Sequence, residues 1–137
     1  VYKRQVHEKP PYAVGDGVRS LPTELGRLSV LICGDLFDEG VVRQIDPALD
    51  LLLVPMNRSF DGASPDAARW EREERAVYIE AVRAAGVTTA IVNALEVGTE
   101  EVAFGGALLV AGDGRLLAES PHGTEEMVVY DLKGVFA

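Results

Sequence analysis

Three apolar runs of strand length constrain this chain more than any other feature: residues 28–33 (LSVLIC), 49–55 (LDLLLVP) and 87–94 (VTTAIVNA). Each lacks the strict alternation of a half-solvated strand and is bounded by turn residues. Each therefore reads as a strand buried on both faces. Between the first two, residues 35–46 (DLFDEGVVRQID) can begin a helix, with Asp38 and Glu39 favourably placed near its N-terminus. Between the second and third, residues 64–86 (SPDAARWEREERAVYIEAVRAAG) carry the clearest helical pattern. Ser64 supplies an N-cap, Pro65 a first-turn residue and Gly86 a stop. Ala68, Trp70, Ala76, Val77, Ile79, Ala81 and Val82 give that helix a partly apolar face. Residues 104–120 (FGGALLVAGDGRLLAES) then read as a strand hairpin about a Gly-Asp-Gly-Arg turn, and 126–132 (EMVVYDL) as a final strand. The order strand–helix–strand–helix–strand–hairpin predicts an α/β protein. Its sheet is largely buried, with antiparallel additions at one side.

The totals narrow the partners. At 137 residues, with no internal repeat or linker, the chain reads as one domain. Thirteen basic and twenty-two acidic residues give a net charge of −9, which would be repelled by nucleic acid and by an anionic membrane surface. A single cysteine rules out an internal disulfide and fits a reducing, cytoplasmic setting. No apolar run approaches membrane-spanning length. His7 and His122 stand alone, with His122 in an expected surface turn, so no metal site is expected. Gly112-Asp113-Gly114 precedes no helix and is a turn, not a nucleotide fingerprint. Trp70 reads as a packing residue.

The lone cysteine, Cys33, ends the first apolar run in SVLICGDLFDEG. A small apolar residue completing a strand would sit there without consequence. A nucleophile would gain from the same place, because a strand turning into a helix projects its side chain at the sheet rim. The N–H groups that follow can then face a developing oxyanion. Gly34 would let a substrate approach the backbone closely. Asp35 and Glu39 can orient the turn, or act only as local helix-start acids.

Several segments, in order, resemble the carbon–nitrogen hydrolase (nitrilase) superfamily. GRLSVLICGDLFDE is similar to its nucleophile motif, with Cys-x-Asp and a Glu four residues after the Asp. LDLLLVPMN resembles the following strand, with Asn57 at the active-site rim. REERAVYIEAVRAAGVTTAIVNALEVG resembles its long helix and next strand, and FGGALLVAGDGRLLAES with EEMVVYDL its hairpin and closing strand. VYKRQVHEKPPY is similar to the segment that carries the catalytic lysine.

The resemblance implies an αββα sandwich, four layers in the complete form, and a Glu-Lys-Cys triad. Cys33 would attack an amide, carbamoyl or nitrile carbon to give a thioester that water hydrolyses. Lys3 would stabilise the tetrahedral intermediate through a one-residue shift, since Arg4 stands at the usual place and Lys9 lies farther on. Glu8 is either a secondary glutamate or a solvated loop residue. The general-base glutamate belongs to an N-terminal half with no counterpart in residues 1–137, so the chain corresponds to the C-terminal half alone. The resemblance further implies no cofactor, a small-molecule amide or nitrile substrate, and a homodimer or higher homo-oligomer. Two alternatives stand beside it: an inactive relative kept for binding or assembly, and a glutaminase domain feeding ammonia to a synthetase.

Overall fold

The computed structural model describes residues 15–59, 67–96 and 103–132. One six-stranded sheet runs in the order β1 (Leu21–Thr23), β2 (Gly26–Val30), β3 (Leu51–Met56), β4 (Thr89–Asn93), β5 (Ala107–Val110), β6 (Leu116–Glu119). The central strands β2, β3 and β4 are parallel, while β1, β5 and β6 are antiparallel to their neighbours. The expected α/β class is what forms, and the three apolar runs are its parallel core. The antiparallel additions lie at both edges instead of one. β1 was hidden because its three residues are all exposed and its turn, Glu24-Leu25, has no turn signature.

The helical connections differ from the sequence expectation in detail. Residues 35–46 do not form one helix. A 3-10 helix spans Cys33–Phe37, and a short helix α1 spans Glu39–Val42, capped by the Asp38 carboxylate on the Val41 N–H. The Asp38 cap starts a new helix there and so interrupts the first. The second connection, α2, comprises Ala67–Arg69, a π-helical turn Trp70–Glu74 and Arg75–Ala85. It ends as expected on Gly86 in the left-handed conformation, φ 69°. Ser64 and Pro65 lie outside the described residues. Residues 126–132 form no strand; Met127 and Val129 are exposed. The segment carries apolar residues but has no ladder partner among the described residues.

The 3-10 helix and α2 touch and so share one face of the sheet. Alternate residues Leu52, Val54, Met56, Thr89, Ile91 and Asn93 point to that face and are buried, joined by Trp70, Tyr78, Val82 and Phe104. This uses the apolar side of α2 within the chain. Its outer side shows Glu71, Arg72, Glu73, Val77, Glu80 and Arg83. The opposite sheet face carries Leu28, Val30, Leu51, Leu53, Pro55 and Val92, half-buried or exposed.

The turn at Gly112 seats against the end of α2. A Cβ added there would lie 2.5 Å from the Gly86 oxygen and 2.9 Å from the Val87 nitrogen, both backbone atoms that cannot swing aside. Gly112→Ala is expected to lower stability by about 2 kcal/mol, read as an earlier midpoint in chemical unfolding. An unchanged midpoint would mean that the two turns separate freely.

Candidate active site

Because β2, β3 and β4 are parallel, their carboxyl ends share one edge, where open α/β sheets hold their sites. Cys33 leaves β2 there. Its φ is +48°, and it is the only non-glycine residue with positive φ among those described. A left-handed turn costs a residue with a Cβ about 1 kcal/mol. The turn swings the chain out of the sheet and into the 3-10 helix. The buried Asp35 braces it: its carboxylate accepts the Ile32 N–H at 3.2 Å and its own N–H donates to the Ile32 carbonyl at 3.0 Å. Glu39 instead pairs with Arg43 in solvent. Pro55 is compatible with a central strand for the same reason. Odd-numbered residues of β3 face β2, and at Pro55 that neighbour has already departed through Cys33.

Cys33 is half-buried against the core, and beside it Gly34 is exposed, with no atom of the described residues within 4 Å of an added Cβ. Asn57, one residue past β3, is exposed and donates to Glu96 at 3.3 Å. Lys3, Arg4, His7, Glu8 and Lys9 lie outside the described residues.

Arg58, next to Asn57, forms an ion pair with Glu74 at 3.1 Å, their side chains 35% and 16% exposed. Asn93, at the end of β4, fixes the Arg58 peptide from both sides. Its Oδ1 accepts the Arg58 N–H at 2.8 Å, and its Nδ2 donates to the Arg58 carbonyl at 3.1 Å and to the Gly105 carbonyl at 3.2 Å. One turn after Glu74 comes Tyr78, 5% exposed, with its ring edge-on to Phe37 at 5.2 Å and tilted on Trp70 at 5.6 Å. Burial, then negative charge at Cys33 and Glu74, pushes the Tyr78 phenol up to about 12, against the pull of Arg58.

The π turn explains a second cluster. Five residues apart, Trp70 and Arg75 would diverge on an α-helix. The wider turn brings both to Glu119 on β6, Trp70 Nε1 at 2.9 Å and Arg75 Nη2 at 3.1 Å. His122 sits in the turn its sequence context suggested, but its side chain is only 9% exposed. Its ring lies 4.3 Å from Trp70 and 5.3 Å from Phe104, buried over the Gly105–Gly106 bend. Trp70, by contrast, packs as expected. Among the described residues no group of three or more His, Cys, Asp or Glu could hold a metal ion, and no helix is long and apolar enough to cross a membrane.

The phenol shift has a sign in stability. The unfolded chain loses the proton near pH 10 and the folded chain near 12. Stability from Tyr78 is therefore intact below pH 10 and falls between 10 and 12, by on the order of 2 kcal/mol. Urea unfolding at pH 9 and pH 11.5 should show that loss in the wild type and its absence in Tyr78→Phe. Equal slopes in the two proteins would contradict it.

No family profile matches the chain, and no curated protein does. Solved structures match. The glutamine-dependent NAD+ synthetase of Acinetobacter baumannii is similar over 90% of this chain and 24% of its own, with TM-score 0.72 and 15% identity. A carbon–nitrogen hydrolase of Helicobacter pylori G27 is similar over 90% of this chain and 48% of its own, with TM-score 0.70 and 20% identity. An amidase of Nesterenkonia sp. AN1 is similar over 86% and 45%, with TM-score 0.64 and 22% identity. In a Glu-to-Gln variant of that amidase, acrylamide has undergone Michael addition at the active-site cysteine. The chain spans between a quarter and a half of these proteins. At such identities the likeness shows the fold, which is the nitrilase-like α/β layer that the motifs implied.

Proposed function

We propose that this chain, built on the fold of the carbon–nitrogen hydrolases, carries the nucleophile of a cysteine-dependent hydrolase of non-peptide carbon–nitrogen bonds. The observation that carries the reading is Cys33 itself. A left-handed turn holds it at the carboxyl edge of the parallel strands, beside the open space at Gly34. The thiolate adds to an amide, carbamoyl or nitrile carbon, and the amine or ammonia leaves with a proton to give a thioester. Water then cleaves the thioester. Gly34 gives the substrate room, Asn57 borders the rim, and Lys3 is the candidate cation for the tetrahedral intermediate. The general-base glutamate and the layer that covers the open sheet face belong, in this proposal, to a further part of the sandwich. Assembly as a homodimer or larger homo-oligomer is proposed with it. The substrate is a small molecule.

The likeness to a glutamine-dependent NAD+ synthetase favours a second reading, a glutaminase unit supplying ammonia. Ammonia release from acetamide, propionamide and glutamine by the full chain tests both. Preference for glutamine selects the second. Release from none, together with a Cys33 inert to acrylamide, would leave an inactive binding or assembly relative.

A further inference from the structure

We propose that Asp35 is a positioning residue for the nucleophile, whose carboxylate stands in for a missing rung of the sheet and so imposes the strained backbone of Cys33. The catalytic consequence rests on the reading of Cys33 as nucleophile. The ladder from β2 to β3 reaches Leu31, whose N–H donates to the Leu53 carbonyl at 3.0 Å. Neighbouring residues of a strand turn their N–H groups to opposite sides, so the Ile32 N–H points away from β3. On that side lies β1, and its pairing with β2 stops at Leu28. The Asp35 carboxylate fills the place, accepting the Ile32 N–H at 3.2 Å.

The same residue also holds Ile32 from its other side, since the Asp35 N–H donates to the Ile32 carbonyl at 3.0 Å. The two bonds fix both peptides that flank Ile32, and the second of these peptides carries the Cys33 nitrogen. Asp35 is itself anchored. It is 2% exposed, its carbonyl accepts the Asp38 N–H at 3.2 Å, and the next residue, Leu36, is 1% exposed in the core. With Ile32 fixed before it and Asp35 after it, Cys33 closes the turn at φ +48°. A residue with a Cβ persists in that region only where its surroundings impose it. The sulfur is then held at the carboxyl edge before substrate arrives, which lowers the barrier to attack and leaves substrate binding unchanged.

The test separates the brace from the chemistry. Thermal unfolding compares glycine with alanine at position 33, once with Asp35 present and once with Asp35→Ala. With Asp35 present, the glycine variant should unfold about 3 °C above the alanine variant. With Asp35→Ala the turn relaxes and that gap should close. A gap that persists would mean that something else imposes the turn, and overturns the role. Hydrogen exchange in the wild type reads the brace even where the double variants do not fold. The Ile32 amide should exchange as slowly as that of Leu31, and fast exchange at Ile32 alone overturns the bond to Asp35. Ammonia release from propionamide by the full chain, well below the unfolding midpoint, reads the consequence. Asp35→Ala should lower kcat about 100-fold, with KM within about threefold. Asp35→Asn, which keeps an oxygen for the Ile32 N–H, should recover most of the loss. An unchanged kcat in Asp35→Ala, or no recovery in Asp35→Asn, overturns the positioning role and leaves Cys33 as nucleophile. No release by the wild type overturns the nucleophile and the catalytic consequence with it, while the unfolding midpoints and the Ile32 exchange still decide the brace.

Discussion

Replacing Cys33 with alanine should abolish ammonia release from amides, by at least ~10³-fold, while the fold survives. The sulfur is half-buried at the edge of the core, so its removal exposes little apolar surface. The backbone at this position reports more than the side chain does. At φ +48° any residue with a Cβ is strained, and glycine is not. Cys33→Gly should therefore be about 1 kcal/mol more stable than Cys33→Ala, and as inactive. In the proposed reading the strain at Cys33 is kept for its sulfur, since glycine would adopt this backbone without it. Ammonia release and thermal unfolding of the three proteins separate the possibilities. Retained turnover in either variant would remove the nucleophile, and a large loss of stability in both variants would make Cys33 a packing residue.

The parallel core was legible in the sequence because β2, β3 and β4 are apolar on both faces, one under the helices and one on the open side. Their pairing and order follow from burial that any register shift would break. Elements that depend on a neighbour were less legible. Residues 126–132 have the composition of a strand, yet composition cannot supply a ladder partner. The π turn in α2 has no compositional mark. It shows itself only through the common target of Trp70 and Arg75, Glu119, some fifty residues away in sequence. The site divides the same way. Cys33 could be found from its own strand and turn, whereas Asn93, Arg58, Glu74 and Tyr78 come together only once β3, β4 and α2 are in register. One local signal for Asn93 was present, a polar residue closing a β-branched run that is otherwise apolar. Lys3 lies outside the described residues, and its place in the site remains part of the proposal.

Asn93→Ala should lower stability by about 3 kcal/mol, which for a domain of this size is a fall of about 10 °C in the unfolding midpoint. The side chain is 6% exposed and makes three hydrogen bonds to backbone. They are not equivalent. The Arg58 carbonyl keeps a second donor in the Phe104 N–H at 3.4 Å, and the Gly105 carbonyl lies 3.2 Å from His122 Nδ1. The Arg58 N–H donates to Asn93 Oδ1 at 2.8 Å, the shortest of the three, and alanine removes that acceptor. Asn93→Asp separates the contributions, since it keeps that acceptor but turns a carboxylate toward two carbonyl oxygens. Asn93→Ala should free the peptide that carries Arg58, and with it the Arg58–Glu74 pair beside Tyr78, whereas Asn93→Asp should still hold that peptide by its N–H. Amide hydrogen exchange at Arg58 reads this directly, and should rise well before global unfolding in Asn93→Ala and stay slow in Asn93→Asp. A loss below 1 kcal/mol with unchanged exchange would mean that β3 and β4 hold the rim of the site by their own ladder, with Asn93 as a passenger.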